Sequence, residues 1–214
     1  MRPDRASIAR PARHATLGRL GRVCRLGLAT RGNTSLEPDG VLEAVRRGIN
    51  YLNWCCHPDG LSAAVRRLGD ARREVLVAAQ FYARSARAAR KELRETLGEL
   101  GTSYVDVLTF YYVERRDEWD EIVSPDGALA VLEEARRDGT VRAIGVTSHQ
   151  RTFAAELAAG GRLDLLMVRY NAAHVGAEEE VFPVTTSLGL PVVSYTGLRP
   201  TFPISPDIFS PRAS

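Results

Sequence analysis

The run Trp54-Cys55-Cys56-His57-Pro58-Asp59-Gly60 gathers two thiols, an imidazole and a carboxylate on a loop that follows an apolar stretch. Imidazole is the side chain best suited to giving and taking a proton near neutral pH, so His57 is a candidate acid; the alternative is a loop histidine ahead of a turn. Cys55, Cys56, His57 and Asp59, with His149 farther along, are also potential metal ligands. Their spacing fits no structural zinc pattern and adjacent cysteines chelate poorly, so no metal site is expected. Tyr111 and Tyr112 close another apolar run, where strand alternation would send the two rings to opposite faces of a sheet. Trp54 is either pocket lining or packing. His149 and Arg151 open a helical segment, where they would grip an anion or simply flank a capping Ser148. Lys91 is the only lysine in the chain, and it sits in the Arg/Glu-rich segment ARSARAARKELRETLGEL. That is a solvated helix face, so a mechanism needing a buried ammonium to tune a tyrosine has no candidate residue.

The elements that would carry these residues alternate along the chain. Strands are expected at 24–30, 49–54, 74–80, 104–113, 140–148, 163–171 and 190–197. Helices are expected at 40–48, 61–69, 86–101, 127–139, 153–161 and 177–189. Apolar strands separated by amphipathic helices predict right-handed βαβ units and a parallel sheet. Seven strands at this rhythm predict an α/β fold, a TIM-type (β/α)₈ barrel with about seven units. A doubly wound sheet is disfavoured, because no glycine-rich phosphate loop follows any strand. Residues 1–16 read as a basic flexible start, 17–199 as the barrel, and 200–214 as an irregular proline-rich tail.

The chain has 214 residues, 44% hydrophobic, with a net charge of +3, too mild to suggest nucleic acid. No apolar run approaches the roughly 18 residues of a membrane span. Three cysteines, two of them adjacent, do not make a disulfide scaffold, and a reducing cytoplasm is expected.

Several strand ends in order resemble the aldo/keto reductase family. RRGINYLNW is similar to its second strand, RREVLVAAQ to its third and LGTSYVDVLTFYY to its fourth. GTVRAIGVTS is similar to the fifth, RYNAAHVGAEEEVFPVTTSLGLPVVSYTGL to the sixth and seventh units, and LGRLGRVCRLGLAT to the opening hairpin and first strand. The resemblance spans residues 17–198. It implies carbonyl reduction with NADP(H) or NAD(H): hydride from the nicotinamide, a proton from a tyrosine tuned by a lysine–aspartate pair, and a histidine that orients the carbonyl.

The residues at those positions differ. Asn53 stands at the aspartate position, Gln80 at the lysine position and Tyr111 at the histidine position. Pro58 falls near the tyrosine position. Losing both halves of a buried ion pair leaves two neutral amides, expected to hydrogen-bond each other. Thr147 and Ser148 take the carboxamide-facing positions, and Met167 replaces a glutamine. Tyr195 matches the nicotinamide-stacking tyrosine, and Thr196 and Leu198 match the start of the pyrophosphate loop. No match to an eighth strand follows. The expected activity is therefore very weak reduction of small-molecule carbonyls. The alternatives are a catalytically silent barrel that binds a ligand or partner, or a truncated gene product. Open edges on the first and seventh strands would favour self-association.

Overall fold

The structure is a computed structural model that describes residues 12–30 and 36–197. Two short strands, β1 (His14–Thr16) and β2 (Arg22–Cys24), form an antiparallel hairpin with His14 opposite Cys24. β1 thus lies just ahead of residue 17. Pairing with β2 holds β1, and the Asn50 Oδ1 acceptor takes the Cys24 N–H at 2.7 Å.

Seven strands follow: β3 (Leu28–Ala29), β4 (Tyr51–Trp54), β5 (Leu76–Phe81), β6 (Val105–Phe110), β7 (Val141–Ser148), β8 (Leu165–Arg169) and β9 (Val192–Tyr195). They pair in chain order, every ladder parallel. The helices are α1 (Pro38–Arg46), α2 (Gly60–Arg66), α3 (Ala86–Leu100), α4 (Arg116–Val123), α5 (Ala128–Asp138), α6 (Arg151–Ala159), α7 (Ala177–Glu180) and α8 (Phe182–Ser187). This is an α/β fold whose curled parallel sheet is an incomplete TIM-type barrel, as the rhythm of the sequence predicts. Sequence signals set the helix ends. The Asp59 carboxylate accepts the Leu61 and Ser62 N–H groups and starts α2, and Gly101, at φ 60°, stops α3 in the left-handed conformation that glycine tolerates.

Alternation along the strands divides the apolar residues between two cores. Leu52, Trp54, Val77, Phe81, Leu108, Phe110, Ile144 and Val146 pack outward against the helices. Tyr51, Leu76, Ala78, Val107, Ala143 and Leu165 point inward, where Leu17 and Val23 of the hairpin close the N-terminal end of the barrel. The first strand is shorter than the expected 24–30. Cys24 belongs to the hairpin, and at Gly27 the chain passes so close to Tyr51 that a Cβ would lie 2.9 Å from its carbonyl oxygen. Between β3 and β9, the two edges of the described sheet, lies a cavity of about 690 Å³ lined by residues that include Tyr51, Asn53, Met167 and Tyr195.

Gly145 in β7 faces a closely packed part of the interior. A Cβ there would meet Thr109 Cγ2 at 2.9 Å and Leu165 Cδ1 at 3.0 Å. Gly145→Val is expected to lower stability by about 1–3 kcal/mol through overpacking, read from a denaturant midpoint. An unchanged midpoint would mean that the interior yields into the neighbouring cavity.

Candidate functional site at the C-terminal mouth

The strand ladders bring Asn53, Gln80, Thr109, Thr147, Arg169 and Tyr195 to the inner face near the C-terminal ends of their strands, where barrels of this kind keep their chemistry. Asn53 lies opposite Ala78, Gln80 opposite Thr109, Thr147 opposite Met167, and Arg169 opposite Tyr195. Gln80 is therefore two residues farther up β5 than the partner of Asn53, and the expected amide–amide hydrogen bond is not formed. Gln80 Oε1 instead accepts from the Tyr82 hydroxyl at 3.1 Å. Asn53 is 3% exposed, and its Oδ1 has no hydrogen-bond partner among the described residues. Lys91 sits on a solvated face, 72% exposed, with Glu95 3.6 Å away.

Tyr111 and Tyr112 do not alternate as expected. β6 ends at Phe110, and Tyr112 takes a left-handed φ of 47°, which turns its ring back onto Tyr111 with centroids 3.9 Å apart. The Tyr111 N–H donates to Phe81 O at 2.8 Å, and its carbonyl accepts from Arg84 at 2.7 Å. These rings belong to a row across the mouth. Tyr82 lies 4.8 Å from Tyr111, His149 lies 4.0 Å from Tyr112, and Tyr195 meets His149 edge-on at 5.9 Å. Partial burial, with Cys56 next in effect, pushes the Tyr82 phenol up to about 12. Burial, chiefly, also raises the Tyr195 phenol above its ordinary value. Both phenols thus stay protonated and serve as hydrogen-bond donors, and they are poorly matched to cycling a proton near neutral pH.

Sequence reasoning missed Glu114. Its Oε1 accepts the His149 backbone N–H at 2.8 Å and lies 3.3 Å from His149 Nδ1, a carboxylate-oriented imidazole at the end of β7. The sequence signal was weak, because the two residues are 35 positions apart and meet only through the pairing of β6 with β7. Tyr82 was missed as well, although its position two residues after Gln80 keeps it on the same side of the strand end.

His57 is exposed, and its backbone carbonyl accepts the Trp54 indole N–H at 2.8 Å. Trp54 is buried in the core between sheet and helices, so it is packing rather than pocket lining. Asp59 is the cap of α2. Cys56, at φ 64°, donates its thiol to Gln80 O, and burial holds that thiol above the ordinary cysteine range. Among the described residues no group of three or more histidine, cysteine, aspartate or glutamate side chains could hold a metal ion.

Ser148 does not cap the helix that follows. α6 begins at Arg151, and Ser148 Oγ accepts from the Gln150 N–H at 3.1 Å, while Arg151 pairs with Glu180 at 2.7 Å. Thr147 is buried, and its Oγ1 has no partner among the described residues; the same is true of the Tyr195 hydroxyl. Thr196, at φ 60°, accepts the Asn171 side-chain amide on its carbonyl at 3.1 Å. Leu198 lies outside the described residues. No helix among the described residues is long and apolar enough to cross a membrane.

Residues 41–202 match the profile of the aldo/keto reductase family. The chain is 26% identical over 115 residues to the NADH-specific methylglyoxal reductase of Escherichia coli (strain K12). That match covers 54% of this chain and 34% of the relative's length. Among solved structures, an aldo-keto reductase from Klebsiella pneumoniae in complex with NADPH superposes with a TM-score of 0.71 at 19% identity, covering 86% of this chain and 67% of that one. An aldo/keto reductase from Brucella melitensis gives 0.70 at 18% identity, covering 87% and 73%. The profile match takes in three quarters of the sequence, from α1 past β9, and the chain belongs to the aldo/keto reductase family.

Proposed function

We propose that this chain is a nicotinamide-binding barrel in which ordinary carbonyl reduction is very slow. The observation that carries this reading is the state of the ion-pair positions: Asn53 is buried with an unpartnered Oδ1, Gln80 is engaged by Tyr82, and Lys91 is on the surface. The nicotinamide would supply hydride to a carbonyl carbon. Tyr195 would stack on that ring, with Thr147, Ser148 and Thr196 around its polar edge. A buried Thr147 Oγ1 able to accept from the carboxamide N–H and an accessible cavity beside Tyr195 both suit such a ligand. Met167, at a family glutamine position, offers no amide donor, which weakens the grip. The family resemblance supports either NADPH or NADH, and the Escherichia coli relative favours testing both.

The test is a fluorescence titration with each reduced cofactor, followed by turnover of methylglyoxal. The dissociation constant is expected to lie above the low micromolar range, and turnover well below about 1 s⁻¹, the bottom of the ordinary enzyme range. Tight binding with fast turnover would show that another acid has taken over; His149, oriented by Glu114, would be the first candidate.

A second reading, a silent barrel that binds a ligand, is favoured by the cavity between β3 and β9, where Tyr51 OH is also buried without a partner. The reading as a whole includes a reducing cytoplasm, suggested by three free cysteines, and self-association through the outer edges of β3 and β9.

A further inference from the structure

β8 ends by placing a guanidinium inside the barrel. Leu165 belongs to the inner core and Met167 lines the interior cavity, so alternation turns Arg169 inward as well. Its Nε is buried without a hydrogen-bond partner, and no carboxylate pairs with it among the described residues. Other arginines near this end are satisfied: part-buried Arg84 meets Glu118 at 2.6 Å and exposed Arg151 meets Glu180 at 2.7 Å. Glu114, whose charge reaches Tyr195, is already held by His149.

Two more donors without partners flank Arg169. Tyr195 lies directly opposite it on β9, and its hydroxyl is buried. Thr147 lies opposite Met167 on β7, one inward position below Arg169. It is 3% exposed, and its Oγ1 has no partner. A buried donor without an acceptor is destabilising, and a charged one more so. Three of them on adjacent strands, at the end where barrels of this kind bind ligands, suit an acceptor with several lone pairs and a negative charge.

We propose that Arg169, Tyr195 and Thr147 form an oxyanion site, taking either the carboxylate of a small carbonyl substrate or a phosphoryl group. The planar guanidinium presents paired donors to two oxygens of such a group, and the two hydroxyls supply the remaining hydrogen bonds. A substrate that carries a carboxylate beside its carbonyl would be held with its reacting carbon near Tyr195. That substrate class rests on the carbonyl-reductase reading; the anion site does not.

The test uses the purified full chain without any nicotinamide. Glyoxylate and, separately, pyrophosphate are titrated by calorimetry and by thermal melting in a zwitterionic buffer. Saturable binding of at least one anion is expected. Arg169→Gln should weaken it by about 10- to 100-fold, with Arg169→Lys between the two because it keeps the charge without the fork. Exposed Arg47, changed to Gln, should leave it unaltered. Without anion, Arg169→Gln should melt no lower than wild type, because an unpartnered charge has been removed. Preference for glyoxylate would place the site on the substrate, and preference for pyrophosphate on a phosphorylated ligand. Absence of saturable binding by both anions, or equal binding by Arg169→Gln, would overturn the proposal. Because no cofactor is present, a failure of nicotinamide binding leaves this result independent.

Discussion

Asp106→Ala is expected to lower the stability of this chain by about 3–5 kcal/mol, the cost of leaving a buried cation without its partner. Asp106 is 1% exposed at the start of β6. One carboxylate oxygen accepts from Arg72 at 2.8 Å and from the Val77 N–H at 2.9 Å, and the other accepts from Arg142 at 2.7 Å. Arg72 is itself almost buried; it also donates to the Val75 and Tyr104 carbonyls and lies 4.1 Å over the Tyr104 ring. The cluster thus ties the 3₁₀ turn at Gly69–Glu74, β5, β6 and β7 together at the N-terminal end of the barrel. Removing the carboxylate leaves the Arg72 charge buried and the Val77 amide without its acceptor. At about 2–4 °C per kcal/mol for a chain of this size, the melting temperature should fall by about 6–20 °C. Asp39→Ala, which removes an ion pair to Arg67 whose carboxylate is 82% exposed, should change it little. Equal shifts in the two variants would show that the Asp106 cluster contributes no more than a surface pair.

The contrast between this cluster and the mouth explains what could be read from the sequence. Strand–helix rhythm depends on local patterning, so βαβ order and the parallel sheet followed directly from apolar runs such as EVLVAAQ and YVDVLTFYYV. Asp59 and Gly101 marked helix ends by chemistry that acts within three or four residues. The site depends on interactions of another range. Glu114 meets His149, and Arg72 meets Asp106, only after neighbouring strands have paired. Tyr111 and Tyr112 broke the alternation rule because the strand ends at Phe110, three residues short of the expected 113, and a positive φ at Tyr112 is invisible to periodicity. Nothing in the sequence sets Arg169 apart from the other arginines of an arginine-rich chain. Its meaning emerges only when the inner face of β8 is known and its lack of a partner can be seen.

Restoring the family ion pair should show strong coupling between two positions that do not touch in the present chain. Asn53→Asp alone puts a carboxylate where Oδ1 finds no donor and the residue is 3% exposed. Burial then raises its folded-state pKa above the unfolded value of about 3.9. The folded chain binds the extra proton in the window between those two values, so stability falls as pH rises through it. The variant should come closest to wild type below about pH 3.9, where the carboxyl becomes neutral in both states, and lose several kcal/mol by about pH 8. Gln80→Lys alone should cost less, because Gln80 is only half-buried and a lysine stem can carry its ammonium toward solvent. It should also free the Tyr82 hydroxyl from its present acceptor. In the double variant, lysine's reach from one inward position higher on β5 lets the ammonium approach Asp at position 53, which lowers that carboxyl's pKa and flattens the pH dependence. A coupling of about 1–3 kcal/mol is expected at pH 8 from a double-mutant cycle in denaturant. Turnover should stay low in the double variant, because the segment around Pro58, WCCHPDG, contains no tyrosine at the family's proton-donor position. Simple addition of the two single penalties, with the pH slope of Asn53→Asp unchanged, would show that Asn53 and Gln80 are not a paired replacement.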